Sequence, residues 1–236
     1  MSEVYREYLR GLGDSNKVNR QFINIPHGTN GERIITYDNQ GTDITTARLL
    51  RDDDHNCYEN ILYSIIEKRR GQMQSELRGA RSMVDLGSGC GRAIIEAMLY
   101  GMDLGDKDKT FIGVDKNYGT GEAVDPERPG LQLTNSLEAI PPDSIDMFWS
   151  VYGACFYDNY KQLKQTLFNI TRAAKIGAIL RTEANIYYSE VTPNLTDHWL
   201  RQLGWNVERM SAAGRHSLRY CQKLGETGIA AADLED

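Results

Sequence analysis

The 236 residues predict a doubly wound α/β fold: a mostly parallel sheet of seven strands with an antiparallel last strand. Three observations carry that expectation. First, Ser82-Met-Val84 and Leu86 form a short apolar run, as a strand buried on both faces does, and Gly87, Gly89 and Gly91 follow at once. Glycines there let the chain turn sharply and approach a ligand closely, and Ala93 to Tyr100 then favour helix up to a stop at Gly101. Second, Phe111-Ile-Gly-Val114 makes another strand and ends at Asp115. An acid at the tip of the second strand is where a doubly wound nucleotide fold grips ribose hydroxyls. Third, strands and helices keep alternating downstream until Trp205–Arg209 and Ser217–Cys221 close the chain as an antiparallel pair.

The glycine spacing narrows the ligand. Dinucleotide sites use G-x-G-x-x-G, which offers a helix N-terminus to a pyrophosphate. Here the spacing is Gly87-x-Gly89-x-Gly91, preceded inside the strand by Asp85. That carboxylate would repel a pyrophosphate and suits a cationic amino group. The run Val84-Asp-Leu-Gly-Ser-Gly-Cys-Gly91 resembles motif I of the class I S-adenosylmethionine-dependent methyltransferases, with a NAD(P) protein as the competing reading. The resemblance implies S-adenosylmethionine as cofactor, with Asp85 at its methionine end and Asp115 on its ribose. It extends the cofactor set to Gly87, Ser88, Gly89, Gly91, Lys116, Asn135, Ser136 and Ser150. Asn135 stands where the family often has an acid facing the adenine amino group, and its amide oxygen can accept the same hydrogen bond.

Composition bounds the remainder. Forty per cent apolar and 25% charged residues make a globular chain, long enough for a full core. A net charge of −6 argues against a protein that holds long duplex nucleic acid by its phosphates. Cys57, Cys90, Cys155 and Cys221 form no C-x-x-C pair and read as reduced thiols. With no run fit to span a bilayer and no signal peptide, the expectation is a cytoplasmic protein without a membrane partner.

Residues 1–53 read as an N-terminal extension covering the site, 54–224 as the methyltransferase-like domain and 225–236 as a small, acidic, disordered tail. Within the extension, Asn30-Gly31 signals a turn between two short apolar runs. Tyr58, Ile61, Leu62, Ile65 and Ile66 mark an amphipathic helix that Gly71 should end, and the acids of Asp52-Asp-Asp54 suit its N-terminus. Glycines and prolines between Lys116 and Gly130 leave room for at most a turn before the third strand, Leu131–Thr134. Ile140-Pro-Pro-Asp-Ser-Ile-Asp146 leads into the fourth strand, Met147–Val151, and Tyr160–Ala174 is the next helix. Lys175-Ile-Gly177 resembles the family's turn before the fifth strand, Ala178–Glu183. Thr192-Pro193 opens the last helix, which Gly204 stops.

Methyl transfer from a sulfonium needs mainly positioning and exclusion of water, and a base only where the acceptor must lose a proton. The catalytic candidates lie past the fourth and fifth strands: Tyr152, Tyr157, Asp158, Glu183 and His216. Each has a plainer reading, the tyrosines as pocket walls, Asp158 as a helix cap, and Glu183 with His216 as a surface pair. The loop 152–158 lacks the Asn/Asp-Pro-Pro-Tyr/Phe signature of enzymes acting on exocyclic amines of nucleic-acid bases. Ser150 occupies the place of the first ligand in metal-dependent catechol-type relatives, so no metal is expected. The resemblance thus implies a small-molecule acceptor methylated on oxygen or nitrogen. Two alternatives stand beside it. One is a protein lysine methyltransferase, on the faint likeness of Cys57-Tyr-Glu-Asn-Ile-Leu62 to the motif of the non-SET enzymes, broken at Asn60. The other is a non-catalytic, cofactor-binding partner subunit.

Overall fold

The computed structural model describes residues 62–63, 69–88, 93–94, 97–98, 109–115, 123–124, 130–151, 160–183, 192–211, 217–226 and 228–235. The elements in chain order are α1 (Arg69–Gly79), β1 (Ser82–Leu86), β2 (Thr110–Val114), β3 (Ala123–Val124), β4 (Leu131–Thr134), β5 (Ile145–Ser150), α2 (Tyr160–Ala173), β6 (Ala174–Glu183), α3 (Pro193–Gln202), β7 (Trp205–Ser211) and β8 (Ser217–Lys223). Residues 93–94 and 97–98 are helical, after the glycine-rich turn. All strands join one sheet in the order β3-β4-β2-β1-β5-β6-β8-β7. β4, β2, β1, β5 and β6 run parallel, and β8 inserts antiparallel between β6 and β7. The seven expected strands are all present, with β3 as a two-residue ribbon added to the β4 edge.

Alternation along the strands sorts the two faces. Val84, Phe148, Leu180 and Cys221 meet Leu163, Leu167 and Ile170 of α2, spaced i, i+4, i+7, and Trp199, Leu200 and Leu203 of α3. Arg181 follows Leu180 and therefore points to the opposite face, where α1 buries Met73 and Leu77 and presents Glu76. Asp115 and the glycine turn thus lie at the carboxyl ends of the parallel strands, where open α/β sheets bind ligands.

Three local expectations are corrected. Gly71 does not end a helix: it lies exposed in the first turn of α1, which runs to Gly79 and buries the i, i+4 pair Met73 and Leu77. Of the helix expected before it, only Leu62 and Tyr63 are among the described residues, and both are buried; residues 1–53 lie outside them. Lys175-Ile-Gly177 is no separate turn, because β6 begins at Ala174 directly after α2. The register passes from Ile145↔Ala174 to Met147↔Ile179, so β6 bulges between these pairs, with Gly177 at φ 87°. The 116–130 segment holds the ribbon β3 rather than a turn alone.

The tail expected to be disordered is docked. Leu234 is buried against the α2–α3 face, Lys164 Nζ donates to the Leu234 carbonyl at 2.6 Å, and Trp199 Nε1 donates to that of Glu235 at 2.9 Å. One leucine and two paired carbonyls are enough to fix a short segment whose composition alone gives no sign of it. Among the described residues no helix is long and apolar enough to cross a membrane.

At the amino end of the sheet, Asp146 ties three strands together. Its carboxylate accepts from the Arg81 and Ser82 amides, both at 2.9 Å, from Ser82 Oγ at 3.0 Å and from Lys175 Nζ at 2.8 Å. Burial by itself would raise this carboxyl, but the hydrogen bonds from Lys175, Arg81 and Ser82 outweigh it and hold it below the ordinary range. A depressed folded-state value stabilises the protein above the unfolded-state value, about 3.9, and that stability is lost as pH falls through the folded value. Acid denaturation should therefore show the stability gap between wild type and Asp146→Asn narrowing at a pH below the unfolded-state value. A gap that persists undiminished at that pH would contradict the assignment.

Candidate active site

β1 carries the centre of the site. Asp85 is fully buried, and its register neighbours are Gly113 on β2 and Trp149 on β5. The carboxylate therefore has no side chain on one flank and an indole on the other. After Leu86 the chain turns through Gly87 at φ 72°, a conformation that costs a residue with a Cβ about 1 kcal/mol or more. The Gly87 and Ser88 amides both donate to the Val114 carbonyl, at 2.8 and 3.1 Å. This staples the glycine turn to the end of β2, one residue from Asp115.

The rim continues along the sheet. The Asp115 amide donates to the Thr134 carbonyl at 3.1 Å, and the Ser136 amide donates to Thr134 Oγ1 at 3.1 Å. Asn135 and Ser136, both half-buried, are thereby carried at the end of β4, next to Asp115. Ser136 precedes the 3₁₀ turn Leu137–Ala139 without capping it through its side chain. On the other side of β1, Ser150 ends β5 opposite Leu86 and Thr182. It is 1% exposed, and its Oγ has no hydrogen-bond partner among the described residues. A buried hydroxyl left so costs about 1–3 kcal/mol, which a bound polar group would offset.

Glu183 ends β6 at the same rim, 4% exposed and opposite Leu218 of β8. Its carbonyl accepts from Arg219 Nη1 at 2.9 Å. The Arg219 guanidinium also reaches the Pro193 carbonyl at 3.0 Å and Asp197 Oδ1 at 2.5 Å, tying the first turns of α3 to the rim. Asp197 Oδ2 takes Arg209 Nε at 2.5 Å, which completes a bridge from β8 through α3 to β7.

The structure thus brings Asp85, Gly87, Ser88, Asp115, Asn135, Ser136, Ser150 and Glu183 to one edge of the sheet. Gly89, Gly91, Lys116, Tyr152, Tyr157, Asp158 and His216 lie outside the described residues. Sequence reasoning passed over a buried group behind Asp85. Arg181, wholly buried, forms a two-point ion pair with Glu76, at 2.8 and 2.5 Å, and donates to the Leu62 carbonyl at 3.0 Å. Its guanidinium lies over the rings of Tyr63 and Tyr220, at 4.2 and 4.7 Å. Burial and the Glu76 charge push the Tyr63 hydroxyl well above its ordinary pKa, and the same two causes raise that of Tyr220. The available signal was an arginine set within the apolar run Ala178-Ile-Leu180-Arg-Thr.

No protein-family model and no curated protein matches the sequence. Among solved structures, the chain is similar to an O-methyltransferase family protein from Burkholderia thailandensis, with 12% identity over 69% of this chain and a TM-score of 0.49. The match spans 57% of that protein's length. It is also similar to a TehB-like SAM-dependent methyltransferase from Corynebacterium glutamicum, with 15% identity, 64% of this chain and 87% of that one covered, and a TM-score of 0.47. A third is the 1,6-didemethyltoxoflavin-N1-methyltransferase of Burkholderia thailandensis, solved with bound 1,6-didemethyltoxoflavin and S-adenosylhomocysteine. Here the identity is 13%, the coverage 65% and 77%, and the TM-score 0.44. At these identities the likeness is one of fold.

Proposed function

We propose that this chain is an S-adenosylmethionine-dependent methyltransferase that transfers its methyl group to oxygen or nitrogen of a small-molecule acceptor. One observation carries the reading: a fully buried carboxylate, Asp85, immediately before a left-handed glycine turn that is stapled to the strand ending in Asp115. A buried anion at that turn disfavours a pyrophosphate and favours an ammonium group, while Asp115 stands where ribose hydroxyls are held. The residues present fit the cofactor. Asp85 would hold its amino group, Asp115 its ribose, Asn135 and Ser136 the adenine edge, and Ser150 supplies a buried hydroxyl with no hydrogen-bond partner among the described residues.

The cofactor supplies a methyl group already activated on a sulfonium. What the chain must add is alignment and a dry pocket. Ser150 and Glu183 are buried at the ends of β5 and β6. Polar groups buried at that rim suit an acceptor small enough to enter between the strand ends better than an extended polymer. Glu183 is the described carboxylate able to take a proton there, and Tyr152, Tyr157, Asp158 and His216 complete the set of catalytic candidates.

Ligand-dependent melting tests the reading. S-adenosylmethionine or S-adenosylhomocysteine at about a hundred times its Kd should add about 2.7 kcal/mol of stability, and NAD and NADP none. Stabilisation by NAD alone would overturn it. Incubating cell extract with the protein and a deuterated-methyl cofactor, then reading the products by mass spectrometry, would identify the acceptor.

A further inference from the structure

We infer that Arg181 is a positioning residue for the cofactor pocket, acting on Asp85 through Tyr63 and Trp149. The inference rests on the cofactor reading above and extends it to residues on the far side of the sheet's centre. In register, Asp85 of β1 neighbours Trp149 of β5, and Trp149 neighbours Arg181 of β6, so the three share one row on one face. All three are fully buried. The indole is therefore a wedge between the carboxylate and the guanidinium, and its placement sets the wall beside Asp85.

What holds the wedge is on the page. Tyr63 meets Trp149 edge-on, with centroids 6.3 Å apart and planes at 82°. Tyr63 in turn lies under the Arg181 guanidinium, and its hydroxyl donates to Glu76 Oε2 at 2.9 Å. Glu76 is fixed by the two-point pair with Arg181, whose remaining arm holds the Leu62 carbonyl. A planar guanidinium serves all these directions at once: it stacks on rings, forks onto a carboxylate and donates to a carbonyl. An ion pair in such a place is weak support for stability, because an apolar pair of similar volume would serve as well. It does fix the rotamers around Trp149, and through them the wall next to Asp85.

The test separates positioning from stability. The double variant Arg181→Met/Glu76→Gln removes both charges together and leaves no unpaired ion. Lys223→Met, which weakens the fold at the opposite end of the sheet, is the control. S-adenosylhomocysteine affinity is read by calorimetry, and tryptophan emission is recorded with and without the ligand. The double variant should bind about tenfold more weakly than wild type, within the range of ordinary site-to-site coupling. The control should bind as wild type does. Wild-type emission should change on binding and cease to change in Trp149→Phe. Tyr63→Leu, which leaves the ion pair in place, should also weaken binding and covers the case in which the double variant does not fold. Wild-type affinity in both the double variant and Tyr63→Leu overturns the inference, as does a Lys223→Met control that loses as much. A wild-type protein that binds no S-adenosylhomocysteine at all sinks the cofactor reading itself, and this inference with it.

Discussion

Asp115→Ala should weaken S-adenosylhomocysteine binding by at least tenfold while leaving the unliganded protein folded. The side chain sits at the tip of β2, where the backbone is secured without it. The Asp115 amide bonds the Thr134 carbonyl, and the adjoining Val114 carbonyl takes the amides of Gly87 and Ser88. Alanine keeps every one of those bonds. What it removes is a carboxylate able to accept from two ribose hydroxyls, each charge-assisted bond worth about 1.5–3 kcal/mol. Loss of even one corresponds to about tenfold in Kd. Titration calorimetry reads the change directly, and wild-type affinity in the variant would remove Asp115 from the ribose.

The largest effect on stability should come from Lys223→Met. The Lys223 side chain is wholly buried, yet its ammonium is surrounded by acceptors: the Thr171 carbonyl at 2.9 Å, that of Ala174 at 2.7 Å and Glu226 Oε1 at 2.6 Å. The first belongs to the last turn of α2, whose carbonyls have no partners within the helix, and the second to Ala174, the first residue of β6. Lysine is doing there what a glycine-stopped turn does elsewhere, which is why α2 can pass straight into β6. Methionine keeps the volume and strips the donors, leaving two buried carbonyls exposed to no water, at about 1–3 kcal/mol each. A loss of about 3 kcal/mol should lower Tm by roughly 6–12 °C in a domain of this size. A shift under about 2 °C would mean that the capping bonds contribute little.

The frame of this fold was legible because its signals are local. Short apolar runs at 82–86, 111–114 and 147–151 became the strands Ser82–Leu86, Thr110–Val114 and Ile145–Ser150, the last beginning two residues earlier than its run and ending one short of it. The Thr192 cap, with Pro193 at the first position and Gly204 at φ 84°, bounded α3 as written. Asp85 and Asp115 were readable for the same reason, since each sits in or just after a short apolar strand marked by neighbouring residues. What escaped was long-range. Gly71 looked like a stop because the burial of Met73 and Leu77, which carries α1 on to Gly79, depends on tertiary contact. The tail looked free because Leu234 finds its partners on α2 and α3, far back in the chain. Arg181 and Glu76 are separated by 105 positions, and nothing in either neighbourhood announces the other.

The strand order also says when this site can first exist. β1 holds the middle of the sheet, and both of its neighbours, β2 and β5, come later in the chain. During vectorial synthesis β1 therefore leaves the ribosome with two open edges. One is closed when Val114 has been made, the other only after Ser150. Until then Asp85 lacks the indole on its flank, and Ser150 is not yet in place at the end of β5. Nascent chains stalled short of Ser150 should carry the whole glycine-rich turn and still fail to retain the ligand.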